Sequence, residues 1–297
     1  MKEIALIGPT ASGKSSLAIE LAEEFNAFIL SLDSLSVYKE VNIASAKPSL
    51  EDRKRVVHFG IDEVRPDEHF NVSLFFKLYE NAKERSKKEG KNLIIVGGTS
   101  FYLKAMIEGL SPVLSVSSEN FRKIKEILRN PQKAFSFIEE KDPEFARRIT
   151  KRDVYRMGRW YEIYFESGLI ATRYFSLYEK KPVVKSIPIF CIDMNREVLR
   201  DRIKKRTAVM IKEGIVDETF NIERKYSRIV KPLKAIGPKE CLEYLDGKLT
   251  LRELEEKIFF NTAKLAKRQI TFNKTQFKKV VYADLKKIRE DVKKIFN

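Results

Sequence analysis

The stretch EIALIGPTASGKSSLAIELAEEF, residues 3–25, decides the fold. An apolar run, Glu3–Gly8, leads into a glycine-bearing loop and then into Lys14–Phe25, where Leu17, Ala18, Leu21, Ala22 and Phe25 fall on one stripe. That order predicts a strand buried on both faces, a tight turn, and a helix laid back on a parallel sheet. The turn itself, Gly8-Pro9-Thr10-Ala11-Ser12-Gly13-Lys14-Ser15, fits the P-loop pattern G-x-x-x-x-G-K-[ST] in the required strand-to-helix context. Backbone N–H groups of such a loop, with the N-terminus of the following helix, form an anion cradle. Lys14 adds a point charge, and the Ser15 hydroxyl is suited to Mg²⁺. The pattern specifies phosphate without specifying a nucleotide.

Working outward, further β-rich runs occur at Phe28–Leu32, Asn92–Gly97, Ile187–Asp193 and Lys279–Tyr282, separated by helical stretches. This predicts an α/β fold with a P-loop NTPase-like parallel sheet. A turn punctuated by Pro112 is expected over Leu110–Ser118. From Glu119 to about Glu179 the pattern is helical only, with turn signals at Asn130-Pro131 and Asp142-Pro143, before strand character resumes. An all-helical block between two strands of one sheet predicts an inserted domain. Residues 1–115 and 185–297 then form the core with its helical C-terminal region, and residues 116–184 form the insertion.

Composition narrows the partners. The 297 residues carry 58 Lys+Arg against 42 Asp+Glu, a formal net charge of +16, which favours a polyanion through phosphate neutralisation and counterion release. RNA, DNA and an anionic membrane surface all fit charge alone. No apolar run approaches the roughly 20 residues that span a bilayer, and the first residues show no secretory pattern. Cys191 and Cys241 stand far apart, with no Cys or His at metal-ligand spacing, so they are expected to be reduced thiols of a cytoplasmic protein.

Three positions beyond the P-loop suggest chemistry. Asp33 follows the second strand, at the carboxyl edge where open α/β sheets bind ligands. It is a candidate general base or an outer partner for Mg²⁺, with a turn or capping role as the bland alternative. Gly97-Gly98-Thr99 ends the apolar strand where a nucleotide-hydrolysing motor would show an acidic residue, and Thr99 offers a hydroxyl instead. Asp193, after Ile187–Asp193, is a weaker candidate. Two basic rows suit a nucleic acid. Lys264, Lys267 and Arg268 share one helical face, and Arg152, Arg156 and Arg159 recur beside Tyr155, Trp160 and Tyr161. A solvated helix face is the alternative for the first row, and a core position is the alternative for Trp160.

Together these fragments resemble the tRNA dimethylallyltransferases, also called tRNA isopentenyltransferases. The resemblance rests on Gly8–Ser15 (GPTASGKS), the segment DSLSVY at residues 33–38, Ala46-Lys47-Pro48, Gly97-Gly98-Thr99, Leu199–Arg206, and LAKRQIT at residues 265–271, in order over nearly the whole chain. It implies transfer of a dimethylallyl group from its diphosphate to N6 of the adenosine 3′-adjacent to the anticodon, with pyrophosphate leaving.

The resemblance also implies roles. Asp33 would accept the N6 proton, and Thr99 would sit near the bridging oxygen and the amine. Gly8, Pro9, Thr10, Ala11, Ser12, Gly13, Lys14 and Ser15, with Mg²⁺ and Arg206, would hold the diphosphate. Asp33, Ser34, Leu35, Ser36, Arg156, Arg159, Lys234, Gly237, Lys239, Lys264, Lys267 and Arg268 would contact tRNA, whose target base would be extruded toward Asp33. Ser36 stands where the family often has a base-reading glutamine, and Pro238 where tyrosine is frequent. His58 matches a family position and reads as structural. A single tRNA clamp needs no second subunit, so a monomer is expected. A small-molecule P-loop kinase shares the core motifs but does not account for the insertion or the charge. A prenyltransferase acting on free adenine nucleotides, or an RNA-binding protein with a vestigial P-loop, would also share part of the pattern.

Overall fold

The computed structural model describes residues 1–112, 114–178 and 180–297. Val113, within the expected turn, and Glu179, at the expected end of the helical insertion, lie outside the described residues. The chain divides into two compact units, Met1–Ile107 with Val184–Asn297, and Glu108–Val183.

The first unit is built on strands β1 (Glu3–Ile7), β2 (Ala27–Ser31), β3 (His58–Phe59), β4 (Asn92–Gly97), β5 (Ile189–Ile192) and β6 (Val281–Ala283). They form one parallel sheet in the order β3-β2-β4-β1-β5-β6. Because every pairing is parallel, the carboxyl ends of β1, β2 and β4 open on one edge, which places the P-loop, Asp33 and Thr99 side by side. The first helices of this unit are α1 (Lys14–Glu24), α2 (Leu50–Arg55), α3 (Val72–Lys88) and α4 (Ser100–Glu108).

The stripe expected on α1 is the one that packs. Leu17, Ala18, Leu21 and Ala22 are buried against Ile4, Leu6, Ile29 and Ile94, with Phe25 half-buried beside them. Each fully buried leucine of this kind contributes about 1.5–3 kcal/mol. Two strands depart from the sequence expectation. β3 has two residues, too few to show a period. β6 lies two residues later than expected, because Lys278 and Lys279 are exposed and only Val281–Ala283 pair with β5.

The second unit contains α5 (Ser118–Ile127), α6 (Pro131–Lys141), α7 (Pro143–Ala146), α8 (Val154–Ser167) and α9 (Ala171–Leu177). Both turn signals act as helix starts: Asn130 and Asp142 cap α6 and α7 through their side chains, each followed by proline at the first helical position. Trp160 is fully buried, and its Nε1 donates to Asp142 Oδ2 at 2.9 Å. Tyr161 is buried and donates to the Ala134 carbonyl at 3.0 Å. These rings therefore hold the core of the unit and are not available for stacking on a base. Tyr155, 79% exposed, is the free ring of that row.

The first unit closes with α10 (Arg196–Lys212), α11 (Ile215–Tyr226), α12 (Pro238–Leu245), α13 (Leu251–Gln276) and α14 (Leu285–Phe296). Pro238 suits its place: it is the first residue of α12, following Gly237 at φ 100°. Among the described residues no helix is long and apolar enough to cross a membrane.

Candidate active site

The P-loop takes its shape from backbone that few side chains tolerate. Gly13 caps α1 at φ 91°, and Ala11 sits at φ 63°. The first-turn amides of α1 have no partner within the helix, as at any helix N-terminus, and so suit an anion. Lys14 Nζ donates to the Pro9 carbonyl at 3.1 Å. Burial, and next the charge of Arg206, push the Lys14 ammonium down to about 8, while Asp33 opposes the shift. Arg206, on α10, donates to Thr10 Oγ1 at 3.0 Å and is itself lowered by burial. Two cations held close together in a poorly solvated loop constitute a site for a multiply charged anion. The Ser12 hydroxyl is buried there with no hydrogen-bond partner among the described residues.

Asp33 leaves β2 in a side-chain turn. Its Oδ1 accepts from the amides of Leu35 at 2.7 Å and Ser36 at 3.1 Å. Its Oδ2 takes part in no hydrogen bond among the described residues. One oxygen of Asp33 thus builds the turn, and the other faces no hydrogen-bond donor among the described residues. Thr99 Oγ1 accepts from the Ser34 amide at 3.2 Å, which leaves the hydroxyl hydrogen to be donated elsewhere.

Gly97 makes this proximity possible. A Cβ there would lie 2.1 Å from the Leu32 carbonyl oxygen and 2.4 Å from its carbon, backbone atoms that cannot rotate away. Gly97→Ala is accordingly expected to cost stability at or above the upper end of the roughly 1–3 kcal/mol usual for overpacking, read as a lowered urea midpoint. It would also part Asp33 from Thr99.

A cavity of about 550 Å³ gathers these groups. Thr10, Lys14, Asp33, Thr99 and Arg206 supply its polar wall, and Ile203, Met210, Ile258, Leu265 and Phe272 supply apolar surface. Ser34, Leu35, Lys234 and Arg268 also border it. A smaller pocket of about 90 Å³ continues from it past Ser15, Asp33, Ser36 and His58. Ser36 is 4% exposed and shares a 2.9 Å hydrogen bond with the Ser31 hydroxyl. His58 Nδ1 bonds the Val56 carbonyl at 2.7 Å, and burial lowers its basicity, in keeping with a structural role.

The remaining expected residues are placed elsewhere. Lys264 and Lys267 are exposed on α13 and are not among the residues lining the cavity; Gly237 and Lys239, at the start of α12, are not either. Arg156 and Arg159 belong to α8 in the second unit, paired with Asp153 and Glu162. Asp193 lies beside Asp284 at a shallow hollow after β5, away from the P-loop cavity's lining. Cys191 and Cys241 are buried free thiols, held at about 11 chiefly by desolvation.

Two residues in the site were not singled out from sequence. Gln269 accepts from the Thr10 amide at 2.8 Å and donates to the Gly98 carbonyl at 3.0 Å, tying the P-loop to the β4 turn. It lies inside the LAKRQIT segment, where the neighbouring charges are the stronger sequence signal. Arg202 donates to the Ser12 carbonyl at 3.2 Å from one turn before Arg206.

Comparison with known proteins gives the chain its family. Residues 36–276 match the family model described as IPP transferase. A tRNA dimethylallyltransferase of Nautilia profundicola is 51% identical over 287 residues, covering 96% of this chain and 97% of that protein. The crystal structure of the full-length tRNA isopentenylpyrophosphate transferase of Bacillus halodurans is similar with a TM-score of 0.72 at 27% identity, covering 99% of this chain and 96% of that one. A eukaryotic dimethylallyltransferase caught acting on tRNA has a TM-score of 0.79 at 26% identity, over 96% of this chain and 74% of its own. The chain belongs to the IPP transferase family, the tRNA dimethylallyltransferases, and is a prenyl-transferring enzyme.

Proposed function

We propose that the protein transfers the dimethylallyl group of dimethylallyl diphosphate to N6 of the adenosine 3′-adjacent to the anticodon in tRNA. The observation that carries this reading is the arrangement around one cavity: a carboxylate oxygen without a partner among the described residues, a hydroxyl free to donate, and two half-buried cations, Lys14 of the P-loop and Arg206 of α10. The diphosphate lies against the first-turn amides of α1, Lys14 and Arg206, with its five-carbon chain toward the apolar wall. The N6 lone pair attacks C1 of the dimethylallyl group as the C1–O bond breaks, its electron pair passing to the bridging oxygen. Thr99 donates a hydrogen bond to that oxygen, and Lys14 and Arg206 neutralise the charge developing on pyrophosphate. Asp33 Oδ2 accepts the proton that N6 sheds. ATP has no part in the scheme.

The residues fit a Mg²⁺ held mostly by substrate. Ser15 is exposed in the first turn of α1 and borders the same small pocket as Asp33. No cluster of three or more His, Cys, Asp or Glu among the described residues is arranged to hold a metal. A single hydroxyl with a nearby carboxylate suits Mg²⁺, which keeps waters and takes phosphate oxygens as ligands. When bound it would add positive charge on the leaving diphosphate. The tRNA contacts proposed are Ser34, Leu35, Lys234 and Arg268 at the cavity. Ser36 borders the small pocket beside Asp33, and on the exposed surfaces Lys239, Lys264, Lys267, Arg156 and Arg159 offer cations to phosphates. Every reacting group comes from one chain, so the proposed working unit is a monomer, and a tRNA substrate points to the cytoplasm as its place of work.

Incubating the protein with labelled dimethylallyl diphosphate and, separately, unmodified tRNA, AMP, and ATP with small acceptors tests the reading. Label is expected in tRNA alone. Label in AMP and none in tRNA would overturn it.

A further inference from the structure

The loop between β2 and α2 forms the wall that faces Lys14, yet much of it belongs to no helix or strand. Ser45 borders the 550 Å³ cavity, and Ser45, Ala46 and Lys47 border the smaller one. Asn42, Ile43, Ala46 and Lys47 border a groove on the outer side of the P-loop. Three successive amides at the base of this wall converge on one carboxylate of α11. Glu218 Oε2 accepts from Asn42 N at 2.7 Å and Ile43 N at 2.8 Å, and Oε1 accepts from Ala44 N at 3.0 Å. Consecutive N–H groups of this kind form a nest for an anion, and here the chain fills it with its own side chain.

The rest of the wall hangs from that attachment. Ala46 N donates to the Ile43 carbonyl at 3.0 Å and Lys47 N to the Asn42 carbonyl at 3.1 Å, so the three latched residues carry the turn that follows. Ala46 turns at φ 47°, strained for an alanine, which means the turn depends on its anchors. Lys47 Nζ then reaches back to the Tyr38 carbonyl at 2.7 Å and to Asp62 at 2.7 Å. Residues more than 170 positions apart in sequence thus join the base of the Ser45–Lys47 wall to α11.

We infer that Glu218 is a positioning residue for the diphosphate site, latching the Asn42–Ala44 backbone so that the wall opposite Lys14 keeps its form. This rests on the proposed function only for the identity of the substrate; the latch itself concerns any diphosphate bound at the P-loop. Loss of the carboxylate leaves three amides without their acceptor and frees the wall, which weakens binding of the anion before it affects the chemistry. A residue that merely supported the fold would lower the active fraction and leave affinity unchanged.

The test uses Glu218→Ala and Glu218→Gln in the full chain, with inorganic pyrophosphate as the calorimetric probe and amide hydrogen exchange over residues 40–48. Glu218→Ala is expected to weaken pyrophosphate binding about tenfold and to speed exchange at residues 42–44 about tenfold or more. Glu218→Gln keeps one acceptor oxygen and should fall between it and the unmodified protein. In transfer assays the KM for the diphosphate should rise more than kcat falls. Pyrophosphate affinity within twofold of the unmodified protein, or unchanged exchange at residues 42–44, would overturn the latch. Absence of transfer to tRNA by the unmodified protein, with these binding effects intact, would instead overturn the proposed reaction and leave the latch standing.

Discussion

Asp33→Asn is expected to lower kcat for prenyl transfer by about 10²-fold or more while leaving tRNA affinity within a few-fold of the unmodified protein. Asparagine is the informative replacement because the two oxygens of Asp33 have different duties. Oδ1 accepts the Leu35 and Ser36 amides, and the asparagine carbonyl oxygen can continue to do so. Only the second oxygen, the proposed base, becomes an amide that cannot take a proton. Asp33→Ala would remove both functions together and would also untie the turn that carries Ser34, Leu35 and Ser36. Single-turnover transfer with donor and tRNA saturating isolates the chemical step. A severe loss of tRNA binding in Asp33→Asn, with the chemical rate preserved once tRNA is bound, would mean that Asp33 positions the base and transfers no proton.

This division of labour was only half visible in the sequence. That Asp33 follows a strand at the ligand-binding edge is a local fact, readable from Phe28–Leu32. That one of its oxygens is already occupied depends on how the chain turns after it. The same distinction runs through the molecule. The P-loop, α1 and β4 are written in short contiguous patterns, so their places could be read directly. β3 could not, because a two-residue strand has no period, and its pairing with β2 is supplied by the sheet. Trp160 suits a base or a core equally by its sequence; the deciding partner, Asp142, sits eighteen positions earlier at the cap between α6 and α7. Gln269 and Glu218 act only through backbone groups more than a hundred residues away, and no local motif encodes such a contact. Ser36, read from sequence only as a departure from a glutamine, is held by a hydrogen bond to the Ser31 hydroxyl and lines the small pocket beside Asp33, a placement that depends on strand β2 and no local motif.

Lys14→Met carries the second large effect, an expected loss of about 10²–10³-fold in kcat, because a preorganised charge on the leaving group is withdrawn from a poorly solvated site. Methionine keeps the length and the unbranched stem, so the loop need not collapse. The stability of the protein should move the other way. Burial and the nearby Arg206 hold the Lys14 ammonium at about 8 in the unliganded protein, so the charged form is unfavourable there until an anion arrives. An apolar chain of similar volume removes that penalty, and thermal unfolding of Lys14→Met should occur at or above the temperature of the unmodified protein. The same depressed ionisation fixes a pH dependence. Below pH 8 Lys14 is already cationic and meets the diphosphate at full strength; above it, the ammonium must regain a proton on binding. Pyrophosphate affinity should therefore weaken as pH rises through about 8, by up to about tenfold per unit, over and above the ligand's own titration. Lys14→Met supplies that baseline, since it has no group to titrate. Parallel pH profiles for the two proteins would show that Lys14 does not carry the charge that holds the diphosphate, whereas profiles that diverge only above pH 8 tie affinity, turnover and the cost of burying this lysine to one proton.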